Sequence, residues 1–179
     1  MLRSVPYSEA QRLWTRPERV VLAVSNGPEG VPDIIALGWH MRTSGIPPML
    51  AISVGKTKFS HNLISETREF VFSVPGEDLW RQVAFCGTHS GRDVDKFKET
   101  GLTPVPAKRV KPPLIGECIV NIECRVAGEL DTGDHTIFVG EVLECWVGDE
   151  GKRNLLLVGK EPGYMLLGEE RGYRFGVVR

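Results

Sequence analysis

One segment of the chain, Ser53–Asn62, has the residue types of a phosphate-binding site. It reads Ser-Val-Gly-Lys-Thr-Lys-Phe-Ser-His-Asn, and this pattern predicts that a strand ends, a glycine turns the chain and a helix begins beside Lys56 and Lys58. The first turn of a helix offers free N–H groups and a partial positive charge, both of which favour an anion. His61 follows Thr57 by four residues and is expected on the same helical face. The alternative interpretation is a capped helix with solvated lysines.

A second segment, Cys86–Phe97, also combines features that suit an anion. Gly91 beside Ser90 exposes backbone N–H groups, and the guanidinium of Arg92 is suited to bidentate phosphate binding. Lys96 follows Arg92 by four residues, so the two cations are expected on one helical face. The alternative is that Ser90 caps a helix whose charges are solvated. If both segments bind, they hold either the same phosphate or opposite ends of one ligand.

Metal and hydrolase chemistry are less well supported by the sequence. Cys86-x-x-His89 has the spacing of metal ligands, with His61 as a third candidate, but no second Cys/His pair has ligand spacing. There is no Gly-x-Ser-x-Gly elbow of a serine hydrolase. We therefore predict neither a metal site nor a catalytic triad.

Two further segments have residues suited to a flat redox ligand. Gly133-Asp134-His135 stands at the start of a long strand, and a histidine beside a hairpin tip can reach across a cleft. The strand Ile34–Trp39 ends in Gly38-Trp39, where the missing side chain would let a flat ring approach the backbone. An exposed histidine at a turn and an ordinary core strand are the alternatives.

The composition is that of a globular domain and excludes several classes of protein. Of 179 residues, 41% are hydrophobic and 25% are charged, unlike a disordered chain. Lys and Arg total 22 and Asp and Glu total 23, so the basic excess of a nucleic-acid-binding protein is missing. The apolar runs are too short to span a bilayer, Met1–Pro6 lacks a signal-peptide core, and the four cysteines form no Cys-x-x-Cys pair. We predict one cytoplasmic domain over residues 1–179, with residues 1–16 as a short helical extension.

The elements that position these segments are mostly strands. Strands are predicted at 20–25, 32–39, 49–54, 69–74, 119–126 and 135–147, with short apolar pieces at 155–158 and 164–167. Helices are predicted at 56–67, 76–85 and 92–100, and the proline-rich residues 103–113 are predicted to form an extended connector. Because short helices lie in the middle connections, this order favours a β-barrel with helical insertions over a βαβ sheet.

In their order along the chain, these segments resemble the flavin reductase-like family of FMN-binding split barrels, the group that includes flavoredoxin. The resemblance covers roughly residues 15–165. Its pieces are Pro32–Trp39, Pro47-Pro48 with Lys56–Asn62, Glu69-Phe70-Val71, Cys86–Phe97 with Ser90-Gly91-Arg92 and Asp95-Lys96-Phe97, and Gly133-Asp134-His135 with Val139–Val142. Each piece is weak by itself, and their common order makes the resemblance strong.

The resemblance implies a fold and an activity. The fold is mainly β, a split barrel of Greek-key type with short helical insertions. The activity is that of an FMN-dependent oxidoreductase, an NAD(P)H:flavin reductase of the flavoredoxin type that takes electrons from NADH or NADPH. A non-catalytic FMN electron carrier with a redox partner protein is the alternative, and a non-redox ligand-binding barrel is a weaker one. No nucleic acid or membrane is expected as a partner.

The resemblance also assigns residues to the site. His135 is the implied catalytic residue, beside flavin or nicotinamide. FMN is implied to bind without a covalent bond at the interface of a homodimer. The implied cofactor-binding residues are Ile35, Ala36, Leu37, Gly38, Trp39, Ser53, Val54, Lys56, Thr57, Lys58, Ser60, His61, Asn62, Cys86, Gly87, Ser90, Gly91, Arg92 and Lys96.

Two departures from the family pattern bear on this site. Asp33-Ile34-Ile35-Ala36 stands where the family often has Asn-Ile-Met-Thr, so a hydroxyl contact near the ring is lost. Lys56 and Lys58 stand where family members often carry arginine, so a point charge replaces a bidentate clamp.

The implied homodimer needs apolar surface that a single chain leaves uncovered. Candidates are Trp39 at a strand end, Trp146 on the long late strand and the run Leu155–Val158. Tryptophan is favoured at interfaces because it buries a large area and keeps one polar group.

Overall fold

A computed structural model describes residues 2–11, 13–27, 29–160 and 163–179, in which strands predominate. The strands are β1 (Glu18–Arg19), β2 (Val21–Asn26), β3 (Pro32–Leu37), β4 (His40–Gly45), β5 (Pro48–Gly55), β6 (Glu69–Val74), β7 (Pro104–Val105), β8 (Leu114–Ile115), β9 (Val120–Thr132), β10 (His135–Val147), β11 (Leu156–Leu157), β12 (Tyr164–Glu170) and β13 (Tyr173–Val178). The helices are α1 (Tyr7–Gln11), α2 (Phe59–Thr67), α3 (Trp80–Thr88) and α4 (Lys96–Thr100), with a 3-10 turn at Glu77–Leu79. Within these ranges, no helix combines the length and the apolar character needed to cross a membrane.

The strands form two main antiparallel sheets. Seven strands pair in the order β3-β2-β6-β9-β10-β5-β4, and four shorter ones pair in the order β1-β11-β13-β12. The long strands β9 and β10 form a hairpin in which His135 pairs with Thr132 near the tip. On its other side β10 pairs with β5, where His135 lies opposite Gly55. This register carries the histidine to the end of β5 that leads into α2.

Alternation along the strands builds two hydrophobic cores. All six residues of β2 are buried, and successive side chains of a strand point to opposite faces. Val21 packs into a core that contains Phe70 and Phe138, whereas Leu22 packs into a second core that contains Val83 of α3. The large sheet is therefore covered on both faces, and the second core holds α3 and α4 against it.

A buried carboxylate ties the connector 103–113 to the barrel. Glu123 of β9 is fully buried and accepts hydrogen bonds of 2.5–3.1 Å from the backbone N–H groups of Lys108, Arg109 and Val110 and from the indole of Trp146. Burial by itself raises the pKa of this carboxyl, but the four hydrogen bonds together outweigh it and hold the pKa of Glu123 below its ordinary value. The charged form of Glu123 therefore stabilises the fold.

We expect part of the acid sensitivity of the protein to depend on Glu123. A carboxyl whose pKa is depressed in the folded state stabilises the protein above its ordinary pKa of 4.5, and this stabilisation is lost as the pH falls through the folded-state value. In urea unfolding at a series of pH values, the free energy of unfolding should fall more steeply below pH 4.5 in the wild type than in Glu123→Gln. Parallel curves for the two proteins would contradict this role.

Several predicted elements need correction. α2 begins at Phe59 and α4 at Lys96, each three or four residues later than predicted, because turns precede both helices. Strands β4 and β13 are not predicted from the sequence, and β4 is an edge strand whose residues are mostly exposed and polar, without an apolar alternation. In the run 155–158, only Leu156 is partly exposed, so this run cannot supply the interface surface that was expected of it.

Candidate functional site

A cleft of about 540 Å³ runs along β3, where most of the predicted site residues meet. Its other walls are the start of α2, the end of α3 with the following loop, and parts of the N-terminal segment and the four-stranded sheet. A strand rises about 3.3 Å per residue, so the path from Asp33 to Gly38 gives the cleft a length of roughly 17 Å. Of the nineteen predicted cofactor-binding residues, fifteen line this cleft, as does His135.

At the Asp33 end of the cleft, the loop after α3 faces the turn before α2. Arg92 lies over the ring of Phe59, 5.2 Å from its centroid, and its Nη1 donates to the carbonyl oxygen of Thr57 at 3.5 Å. Ser90 Oγ accepts the backbone N–H of Arg92 at 3.2 Å and so shapes the loop. The two segments that the sequence marks as anion sites therefore meet in one place, which favours a single shared phosphate.

The cations around the cleft differ in whether a carboxylate neutralises them. Arg16, Lys56 and Lys96 each form an ion pair with an acidic side chain. Among the residues that the structure describes, neither Lys58 nor Arg92 has such a partner within 4.0 Å. These two side chains therefore carry the uncompensated positive charge of the cleft.

Lys96 lies beneath the cleft, and its ammonium has two carbonyl acceptors and one carboxylate beside it. It is 3% exposed, donates to the carbonyl oxygens of Ile34 at 2.5 Å and Cys86 at 3.3 Å, and pairs with Asp33 at 3.0 Å. α4 begins at Lys96, so Arg92 lies outside the helix. The predicted stack of two cations on one helical face is therefore wrong.

Four predicted cofactor-binding residues lie outside the cleft, namely Val54, Lys56, His61 and Asn62. Val54 is buried in the core that contains Phe138. His61 turns toward β10, where its Nε2 lies 2.9 Å from Thr136 Oγ1. Because α2 begins at Phe59, Thr57 precedes the helix, and the predicted face shared by Thr57 and His61 does not form.

Trp39 and His135 pack against each other at the edge of the cleft. Their ring centroids are 4.7 Å apart and their planes are inclined by 39°. His135 Nδ1 lies 2.7 Å from Asp134 Oδ1, and this hydrogen bond lowers the pKa of Asp134. When Nδ1–H donates to that carboxylate, Nε2, which lies beside Gly55, is left as a hydrogen-bond acceptor.

Gly38 lines the cleft, and the side chain of Glu18 lies directly over it. A Cβ added at Gly38 would lie 2.6 Å from Oε1 of Glu18, so this carboxyl group fills the space above the glycine. Glu18 pairs with Arg16. Burial, opposed by the nearby Arg16 charge, raises the pKa of Glu18. The absence of a side chain at Gly38 therefore accommodates Glu18 in this structure.

Cys86 lies at the base of the cleft as a protonated thiol. Burial is the main cause that raises its pKa to about 12. The positive charge of Lys96 lowers this pKa, and the negative charge of Asp33 raises it. In the described part of the chain, no group of three or more His, Cys, Asp or Glu side chains is placed to hold a metal ion. Cys86 is therefore suited to packing rather than to nucleophilic chemistry.

We expect one thiol of the native protein to react well before the other three. Thiolates are the reactive form, and reaction also requires access; Cys145 is exposed, whereas Cys86, Cys118 and Cys124 are buried. Brief treatment with iodoacetamide at neutral pH should therefore modify Cys145 and leave the buried thiols until the protein is unfolded, as peptide mass spectrometry would show. Early modification of Cys86 would contradict its burial.

Two acidic residues that shape the cleft were not predicted from the sequence. Asp33 and Glu18 both line it, yet neither was proposed as a site residue. Asp33 carried a signal, since a charged residue at the start of a strand that is otherwise apolar requires a buried partner. No feature of the sequence pointed to Glu18, because the two-residue strand β1 is too short to show a hydrophobic pattern.

Comparisons with known proteins identify relatives of the chain. The model of the flavin reductase-like domain family matches residues 15–165. An uncharacterized protein of Archaeoglobus fulgidus is 41% identical over 136 residues, which are 76% of this chain and 76% of that protein. The flavin reductase (NADH) of Kitasatospora aureofaciens is 28% identical over 128 residues, which are 71% of this chain and 64% of that protein.

Solved structures share the fold. The structure of flavoredoxin from Methanosarcina acetivorans has a TM-score of 0.77 at 29% identity, and the match covers 96% of this chain and 94% of that chain. This likeness confirms the predicted fold class, a mainly β split barrel with short helical insertions.

Proposed function

The chain belongs to the flavin reductase-like domain family and is a flavin-binding oxidoreductase, and we propose that its flavin is FMN, held without a covalent bond in the cleft along β3. The observation that carries the choice of FMN is the uncompensated charge of Lys58 and Arg92. FMN ends in a phosphate dianion, which such a pair of cations binds. Riboflavin lacks this group and would leave both cations without a counter-charge.

The residues of the cleft fit the rest of a flavin mononucleotide. The cleft is roughly 17 Å long, which suits a ring, a ribityl chain and a phosphate laid along one strand. Ile35, Ala36 and Leu37 of the edge strand β3 form one wall of the cleft, along which the ring is proposed to lie. Arg92 and the N–H groups of its loop lie at the end next to Asp33, where the phosphate is proposed to sit.

The bound flavin would supply hydride chemistry at its N5 atom, which the protein itself lacks. The side chains then need only to bind and orient the two reactants. In the neutral tautomer whose Nδ1–H donates to Asp134, His135 presents Nε2 as an acceptor beside Gly55 and packs on Trp39, so we propose that it binds the carboxamide of a reduced nicotinamide. An acid–base pair is not required for this role.

We propose that the reaction is the oxidation of NADH or NADPH with transfer of the electrons to flavin. A relative whose name states this activity, the flavin reductase (NADH), supports the proposal at 28% identity. The test is steady-state oxidation of NADH and of NADPH with added FMN under air. Turnover that rises with FMN concentration would support a reductase. A protein that holds FMN but oxidises neither nucleotide would instead favour the alternative, a non-catalytic electron carrier.

We further propose a homodimer in which each FMN touches both chains. Large apolar side chains stand exposed near the cleft and along the edge strand β4, among them Trp39 at 52%, Met41 at 56% and Ile46 at 97%. Covering them with a second copy would remove apolar area from water. Because a ligand held by two chains stabilises their association, added FMN should shift the dimer to lower protein concentrations. Sedimentation velocity on a dilution series tests this, and a monomer of about 20 kDa that retains one FMN would refute it.

A further inference from the structure

We propose that Asp33 is a positioning residue of the flavin site, which fixes the start of α2 and the Ser90–Arg92 loop relative to each other and thereby sets the affinity for the phosphate. The inference rests on the proposed function, since the phosphate of FMN is the group whose binding it controls. Asp33 itself need not touch the ligand.

One carboxylate joins the elements around the proposed phosphate site at Lys58 and Arg92, here called the phosphate seat. Asp33 Oδ2 accepts the hydroxyl of Ser60, in the first turn of α2, at 2.5 Å. Asp33 Oδ1 lies 3.0 Å from Nζ of Lys96, the first residue of α4. The same Oδ1 is so close to the Cα of Gly91 that a Cβ there would collide with it. Asp33 therefore contacts α2, α4 and the loop from its own place in β3.

The burial of these groups indicates a role in geometry rather than in direct binding. Asp33, Ser60 and Lys96 are 2%, 2% and 3% exposed. Removing two charges from water is so unfavourable that a buried ion pair often adds little net stability. Such a pair does, however, fix the position of its members, since breaking it leaves a buried charge without a partner.

The charges also explain why Asp33 does not oppose the phosphate. A carboxylate near a phosphate site would repel the ligand if it stood alone. The ammonium of Lys96 neutralises that charge, and it also donates hydrogen bonds to the carbonyl oxygens of Ile34 and Cys86. The phosphate is thus left to Arg92 and Lys58, whose placement depends on the elements that Asp33 joins.

The effect should be specific to the phosphate. Arg92 follows Gly91, which packs on Asp33, and Thr57, whose carbonyl accepts from Arg92, lies three residues before Ser60. Binding groups must be held within about 0.5 Å of their productive positions. Breaking the link between Ser60 and Asp33 should therefore weaken FMN binding while the β3 wall, along which the ring is proposed to lie, stays in place.

The experiment is a double-mutant cycle on the dissociation constants of FMN and riboflavin. Ser60→Ala and Asp33→Ala should each weaken FMN binding by about tenfold and riboflavin binding by less than about threefold. The double variant should lose less than the two single losses multiplied together, since both changes remove the hydrogen bond between Ser60 and Asp33. Gly91→Ala, which pushes a methyl group against Asp33, takes the place of Asp33→Ala if that variant does not fold.

A matched control separates positioning from general stability. Ser73→Ala removes a similarly buried hydrogen bond, from Ser73 Oγ to Asn121 Oδ1 at 2.6 Å, between strands outside the cleft. It should lower the free energy of unfolding without changing the ratio of the two dissociation constants.

Two kinds of result would overturn the inference, and they can be told apart. If the wild type binds FMN no more tightly than riboflavin, the phosphate seat itself is wrong and the proposed function fails with it. If the wild type prefers FMN but the variants change the ratio no more than Ser73→Ala does, the seat stands and Asp33 has no positioning role. Additive losses in the double variant would place Ser60 directly on the ligand and would also overturn the proposal.

Discussion

Replacing Arg92 with alanine is expected to weaken FMN binding by roughly ten- to a hundredfold and to leave riboflavin binding almost unchanged. A hydrogen bond to a charged group contributes about 1.5–3 kcal/mol, which corresponds to that range of dissociation constants. Arg92 has no carboxylate partner among the described residues, so its charge is available to a ligand. The measurement is a fluorescence titration of flavin-free protein with each flavin.

Two further variants sharpen this test. Arg92→Lys keeps the charge but loses the planar fork, so it should fall between the wild type and Arg92→Ala. Lys56→Ala is the matched control, since Lys56 is neutralised by Asp131 at 3.5 Å and lies outside the cleft. Equal losses for FMN and riboflavin in Arg92→Ala, or an equally large loss in Lys56→Ala, would show that the phosphate binds elsewhere.

Replacing His135 with alanine is expected to lower kcat/KM for the reduced nicotinamide by about ten- to a hundredfold. The loss would arise because a reactant that is no longer oriented reaches the reactive geometry less often. FMN affinity should change by less than about threefold, since the phosphate seat and the β3 wall do not include this residue. His135→Gln, which retains a hydrogen-bonding side chain, should recover part of the activity.

Steady-state kinetics with saturating FMN measures this effect, and a parallel FMN titration supplies the control. If His135→Ala loses FMN affinity and its kinetics return to normal once flavin is saturating, the imidazole supports the hairpin rather than the reaction. The contact with Trp39 makes that outcome a structural finding of its own, because it would assign His135 to packing at the edge of the cleft.

The central strands of the barrel are the part of the fold that the sequence predicts best. β6 and β10 have the bounds expected of them, 69–74 and 135–147. Both contain β-branched and aromatic residues that suit a pleated, buried surface, and turns delimit them. The edge strand β4 was not predicted because most of its residues are exposed, so its sequence lacks the alternation of apolar and polar residues that marks a half-buried strand.

The predicted site is only partly the site that the fold assembles. Local signals locate Ser90, Gly91 and Arg92 on a loop of the cleft, since glycine and serine mark such loops whatever surrounds them. The roles of Lys96 and His61 could not be foreseen, because helical spacing assumes a helix that starts earlier than α4 and α2 do. As binding residues, the residues that line the cleft remain predictions, which the variants above test.

Contacts between distant parts of the chain explain the rest. Ser60 lies 27 residues from its partner Asp33, and Lys96 lies 62 residues from Ile34, to which it donates. No periodic pattern connects such pairs. Glu18, which fills the space over Gly38, belongs to a stretch without any strand signal. The role of Glu18 and the partners of Asp33 become visible only when the barrel brings β1, β3, α2 and α4 together.

The most direct test of the central claim is isothermal titration calorimetry of flavin-free wild-type protein with FMN and, separately, with riboflavin. If the cleft along β3 is a flavin mononucleotide site whose phosphate is held by Lys58 and Arg92, FMN should bind with one site per chain and at least about tenfold more tightly than riboflavin. No binding of FMN, or equal affinities for the two flavins, would contradict it.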